Sequence, residues 1–310
     1  IVSETTRKAV EEAIAETGYT LNFTARNLRQ QQVGGVLALV PKLANPFFSQ
    51  ILAGVSDVLR KQGLSLLVLD TTAVPDQPAM KVLGPYLNRS RSDGVIVLDG
   101  SLDPRLFDRP GCPPLVQACE WVEGLSAPRI LADNVGGGRL AARHLTELGH
   151  RRILHLTGPA GNSLTLSRRE GFRQGLEEAG LPAPGPQDSI EGDFTARCGV
   201  EIAQRILNLP VRPTAVFCDN DEMAIGLLHG LILGGLRVPE EISVIGFDNI
   251  EMSAYCLPPL TTVRQHRARL GRTAAEVLLA RMRGDTVTDS TTLDVELLAR
   301  ASTGPAPRGA

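Results

Sequence analysis

A change of hydrophobic period, made twice along the chain, most restricts how this sequence can fold. From Gly34, short apolar runs at 36–40, 64–69, 94–98, 115–118 and 130–132 have strand length. Among them lie stretches whose apolar residues recur every three or four positions: Ile51, Val55, Val58 and Leu59 after Pro46, then Met80, Leu83 and Leu87, then 136–148. The alternation restarts with strands at 153–157, 189–191, 215–218 and 242–247, separated by helical stretches at 166–179, 196–207 and 221–233. A last helix at 270–282 and a strand at 293–298 close the series. Alternating short strands and amphipathic helices predict α/β architecture with doubly wound parallel sheets, and two such runs predict two similar subdomains.

The segment from Leu236 to Gln265 carries the densest information. Ile242, Val244, Ile245 and Phe247 read as a central strand covered on both faces. The strand ends at Asp248-Asn249, which puts an acid at the carboxyl edge, where open α/β sheets bind ligands. Pro258-Pro259 and Thr261-Thr262 then predict extended chain crossing between subdomains. The whole segment resembles the corresponding part of the lactose-repressor family of bacterial transcription regulators, and the resemblance runs through nearly the whole chain. It implies two interleaved subdomains of periplasmic-binding-protein type, one holding 34–150 and 263–288, the other 151–262 and 289–303. The Pro/Gly/Ala-rich tail at 304–310 reads as frayed.

At the start, Ser3 suits a helix N-cap, Ala9, Val10, Ala13 and Ile14 form an apolar stripe, and Gly18 ends the helix. So short a helix is marginal alone and reads as the last piece of a small domain spanning 1–21. The resemblance implies the third helix of a repressor headpiece, a helix-turn-helix preceding it. Residues 22–33 contain Arg26 and Arg29 and no acid, which suits either a solvated linker or a short helix that folds on DNA. Ala25-Arg26-Asn27-Leu28 is similar to the family's hinge helix. That implies operator DNA as a partner, with Asn22, Ala25, Arg26, Leu28 and Arg29 at the contact and Leu28 as a minor-groove wedge.

The formal net charge of −2 excludes a general affinity for nucleic acid or membrane, so DNA contact needs a local patch. Five scattered cysteines without CxxC spacing favour reduced thiols in a cytoplasmic protein over disulfides or zinc. No apolar run reaches the length of a membrane span. Phosphate-loop, HExxH and GxSxG motifs are all missing, the five histidines have no metal-ligand spacing, and Gly136-Gly137-Gly138 lacks dinucleotide-site spacing. The chain therefore reads as a binding protein without enzymatic activity, cofactor or metal.

Polar and aromatic residues instead recur at strand C-termini. Phe47 and Phe48 follow the first strand, Glu120 and Trp121 the fourth, and Asp133 the fifth. Arg168 opens a helix of the second run, where Phe194, Asn220 and Asp248 follow successive strands. Facing carboxyl edges would bring these groups to one cleft. Asp133 and Asp221 suit helix caps equally well, and the three phenylalanines suit core positions. The resemblance implies effector-binding roles for Arg168 (three before Gly171-Phe172), Asn220, Asp248, Glu120, Trp121, Phe47 and Phe194, whereas Leu164-Thr165 departs from the small polar residues the family often carries there. A forked arginine, carboxylates and flat aromatics suit a small polar effector, a sugar or sugar acid. Two-fold operators imply a homodimer. A solute-binding protein of a sugar transporter would share this fold and pocket.

Overall fold

The structure is a computed structural model that describes residues 3–18, 32–72 and 79–307. The hinge residues Asn22, Ala25, Arg26, Leu28 and Arg29 lie outside those residues. Helix α1, Glu4–Thr17, begins where Ser3 accepts a hydrogen bond from the Thr6 amide and ends at Gly18 in the left-handed region. Among the described residues nothing covers its apolar stripe: Val10 is 52% and Ile14 43% exposed, and no residue of the helix is buried.

The first lobe contains β1 (Gly35–Val40), α2 (Phe47–Lys61), β2 (Ser65–Asp70), the short α3 (Ala79–Leu83), β3 (Gly94–Val97), β4 (Leu115–Ala118) and β5 (Arg129–Ala132). Helix α3 stops before Leu87, earlier than the apolar spacing predicts. The second lobe contains β6 (Ile153–Thr157), α5 (Ser163–Glu178), β7 (Ser189–Glu191), α6 (Ala196–Leu207), β8 (Ala215–Cys218), α7 (Asp221–Leu233) and β9 (Ser243–Asp248). Helix α4, Asn134–Glu147, stands between the two runs in sequence; β10 (Thr261–Gln265), α8 (Arg267–Arg283), β11 (Ser290–Leu293) and β12 (Val295–Leu298) follow them.

Two six-stranded sheets result, ordered β11-β5-β4-β3-β1-β2 and β12-β10-β9-β8-β6-β7. All pairings are parallel except β10 with β12. Strand β1 is buried throughout and feeds both faces: Val36, Ala38 and Val40 pack with Ile51, Val55 and Leu278, while Leu37 and Leu39 pack with Leu83, Val95 and Leu106. Side chains on successive residues of a strand point to opposite faces, so a continuous apolar run needs cover on both sides.

The crossings between lobes differ from those the sequence predicts. Helix α4 covers the second sheet: Ala141, Ala142 and Leu145 share a core with Phe172, Phe217 and Phe247. The first crossing is therefore at Asp133, not near His150. Strand β10 pairs with β9, so Thr261 and Thr262 are strand residues of the second lobe and the chain crosses at His266. The single strand predicted at 293–298 is two strands in different sheets, separated at Asp294. Strand–helix–strand periodicity is identical whether the helix covers its own sheet or the neighbouring one.

Small residues explain why α4 lies where it does. A Cβ on Gly138 would sit 2.3 Å from the Arg168 carbonyl, and one on Gly171 1.9 Å from that of Val135. Gly138 and Gly171 thus let α4 and α5 touch backbone to backbone, while Gly137 makes room for the Phe247 ring. The segment after β12 is anchored rather than frayed up to Pro307: the Ala306 amide donates to Leu148, and His150 reaches Thr214, Ser243 and the Gly304 carbonyl.

Candidate functional site

Backbone strain marks the carboxyl edges. Among the described residues five non-glycine residues have positive φ, and all five end or follow strands: Lys42 (51°), Cys119 (70°), Phe194 (64°), Asp248 (113°) and Asn249 (53°). Such conformations persist where surrounding structure forces them, and they concentrate at ligand sites.

Arg168 is the centre of the interlobe cluster. It is 1% exposed, with its guanidinium carbon 3.8 Å from the Phe247 ring centroid. Nε donates to Asn134 Oδ1 at 2.9 Å, and Nη1 donates to the Asp219 carbonyl. Nη2 lies 3.5 Å from Asp248 Oδ1, close enough for charge attraction but without a hydrogen bond. Two more buried polar atoms on the first turns of α5, Ser163 Oγ and Thr165 Oγ1, also have no partner among the described residues. Each such atom costs about 1–3 kcal/mol unless a ligand or water satisfies it.

Asp248 and Glu120 act on this arginine, and Asp221 acts on Asp248. Asp248 accepts from Gln265 Nε2 at 2.7 Å. Burial raises its pKa to about 6, against the pull of Arg168, Arg267 and the Gln265 bond. Glu120, from the first lobe, accepts from the Gly100 amide at 3.0 Å. Burial raises its pKa too, opposed by the bonds from Gly100 and the Asn162 side chain, while Asp99 adds repulsion. Asp221 is engaged by Thr262 (2.6 Å) and the Ile250 amide (2.9 Å), and burial holds its pKa well above the ordinary range.

The other sequence-predicted residues divide. Phe47 and Phe48 meet edge to face at 5.1 Å and are buried in the first lobe's core, where Leu164 and Ile250 of the second lobe join them. Phe194 covers Gly158, at which a Cβ would meet the ring at 2.1 Å and Thr165 Oγ1 at 2.5 Å. Asn220 caps α7 through the Met223 amide and donates to the Phe194 carbonyl at 3.1 Å, so it holds that aromatic in place. Asp133 is not brought to the cluster. It caps α4 through the Gly136 amide at 2.8 Å and lines a separate pocket with Arg139, Arg143 and Glu178, because the crossing at this residue turns its carboxylate to the helix it starts. Trp121 is half-buried, its ring 5.7 Å from the Arg129 guanidinium carbon. A pocket of about 460 Å³ adjoins the cleft on the first lobe, lined by Lys42, Thr71, Asp99 and Asp103 among others.

Sequence reasoning missed Asn134, Ser163, Thr165, Arg267 and the His155–Asp219 pair. Arg267 joins the lobes, donating to the carbonyls of Phe47 (3.0 Å) and Asn249 (2.9 Å). His155 Nε2 lies 2.7 Å from Asp219 Oδ1, while Asp219 Oδ2 accepts from the Gly158 amide at 2.8 Å. A histidine inside the apolar run 153–157 was the available signal for that pair.

The chain has the sequence signature of a periplasmic binding protein-like domain over residues 142–303. It is 37% identical over 309 residues to the HTH-type transcriptional repressor CytR of Escherichia coli strain K12, covering 99% of this chain and 90% of that one. The lac repressor dimer bound to operator and the anti-inducer ONPF superposes with a TM-score of 0.86 at 30% identity, over 98% of this chain and 92% of that one. The transcriptional regulator CelR in complex with cellobiose gives 0.79 at 31% identity, over 97% and 91%. None of the three is described as an enzyme. Fold, interlobe cluster and kinship agree: the chain belongs to the lactose-repressor (LacI) family of transcriptional regulators.

Proposed function

We propose that this chain is a cytoplasmic, homodimeric repressor whose operator affinity is set by a small polar effector, a sugar or sugar acid, bound between its lobes. The observation that carries this reading is Arg168 Nη2, buried beside carboxylates of both lobes and, like Ser163 Oγ and Thr165 Oγ1 on the same helix, without a hydrogen-bond partner among the described residues. In this reading Arg168 donates to effector oxygens, Asp248 and Glu120 accept from its hydroxyls, and Phe47, Phe48 and Phe194 supply apolar cover. Asn220 acts by fixing Phe194, and Trp121 reports on the adjoining loop. The complex of CelR with cellobiose supports a sugar-type effector. No chemistry is performed on the ligand.

Effector binding shifts the population of two lobe arrangements and so the spacing of the hinge segments, where Asn22, Ala25, Arg26, Leu28 and Arg29 meet operator DNA. The test is thermal unfolding against sugars, sugar acids, polyols and nucleobases. A ligand at a hundredfold its Kd adds about 2.7 kcal/mol. Arg168→Ala and Asp248→Ala are expected to abolish the response while the far-ultraviolet spectrum stays native. Unchanged affinity in both variants removes these residues from the site.

A further inference from the structure

The proposed effector leaves open whether the cleft takes an anion or a neutral molecule, and one buried pair bears on this. Asp219 follows β8, and Gly158 follows β6, the neighbouring strand at the point where the order of the second sheet reverses. Asp219 ties these two strand ends together through the Gly158 amide and uses its carbonyl to hold Arg168. Its carboxylate is fully buried and shares a hydrogen bond with His155 Nε2 at 2.7 Å. The His155 ring stacks on Phe217 (4.7 Å, 20°) and tilts against Phe172 (4.8 Å). Its Nδ1 has no polar partner among the described residues, so a second N–H there would be unsatisfied. The ring therefore holds one oxygen of Asp219 while the Gly158 amide holds the other.

Resting on the effector reading above, we propose that Asp219, held by His155, is a specificity-determining residue that makes the cleft select an uncharged ligand and reject sugar acids and sugar phosphates. Arg168 Nη2 is a buried cationic donor without a hydrogen-bond partner among the described residues, and Asp248 already faces it at 3.5 Å. Arg267, the other buried arginine, is engaged by two carbonyls. An anionic group arriving at Arg168 Nη2 meets the negative charges of Asp219, Asp248 and Glu120 in a site shielded from solvent, where like charges repel strongly. A hydroxyl or carbonyl oxygen accepts from Nη2 without that repulsion, and neighbouring hydroxyls donate to the acids. The charge of Asp219 reaches Asp248 and helps to raise its pKa.

The experiment is calorimetric titration, with thermal unfolding, of the wild-type chain and Asp219→Asn with matched probes: D-ribose and D-ribose 5-phosphate, D-glucose and D-glucuronate, cellobiose and cellobionate. Asparagine preserves the shape and can still accept from Gly158. The expected result is that the neutral member of at least one pair binds, its anionic partner binds at least about tenfold more weakly, and D219N narrows that ratio severalfold. Glu120→Gln, on the opposite lobe, is expected to narrow it too and serves if D219N does not fold. An anionic member that binds as well as its neutral partner, or a ratio unchanged in every folded variant, overturns the charge selection and leaves the effector reading standing. No response to any probe overturns the sugar-type effector reading, and the selection with it.

Discussion

Asp248 couples the protein's stability to pH through its own burial. Raising a carboxyl from the ordinary 3.8 to about 6 means that the folded chain holds the proton more tightly than the unfolded chain. Its stabilising contribution is complete below pH 4 and lost as pH rises through 6, a difference of roughly 3 kcal/mol. Asp248→Asn cannot titrate, so the wild-type minus variant stability, measured by urea unfolding, is expected to fall between pH 4 and 6 and then level off. A difference that is flat with pH would assign the titration to another acid. Effector affinity should follow the opposite sign, weakening as pH drops below about 6 and the acceptor is protonated. That Asp248 ends an apolar strand was legible in the sequence, and the resemblance around Gly171-Phe172 drew attention to Arg168. Asn134 and Ser163 were not, because their roles depend on which buried atoms lack partners.

Among the elements, the pairing of α4 with α5 decides where Arg168 points. Their contact is backbone on backbone, with Val135 above Gly171 and Arg168 above Gly138. Gly171→Ala is expected to force these helices apart and cost about 1–3 kcal/mol, read as a lower Tm. Gly161→Ala, where no atom lies within 4 Å of the added Cβ, is the control and should change stability by no more than about 0.5 kcal/mol. Equal effects would show that close packing is not what the glycine provides. The glycine run was visible in the sequence; that Gly138 meets α5 was not, since a dinucleotide turn and a helix–helix contact both call for absent side chains.

For the whole molecule, Leu164 and Ile250 set the second lobe's apolar surface into the first lobe's core, and Arg267 bridges the two lobes. Leu164→Ala removes part of that joint. We expect a stability loss of about 2–5 kcal/mol and a larger radius of gyration by small-angle X-ray scattering without effector. A loss of stability with unchanged dimensions would restrict Leu164 to ordinary packing within a fixed arrangement. The departure of Leu164 from small polar residues was plain in the sequence, but its partner lobe was not.

Period, caps and strand ends are local properties, and the sequence by itself determined them. Strands at 115–118, 153–157, 189–191 and 215–218 and helices at 196–207 and 221–233 stand where apolar spacing put them. So do the Ser3 cap and the acid ending β9, because each depends on residues within a turn or two of one another. Tertiary structure alone decided that α4 covers the second sheet, that β11 and β12 part at Asp294 and that His155 meets Asp219. Those outcomes turn on which surfaces exclude water together, and residues far apart in the chain settle that jointly.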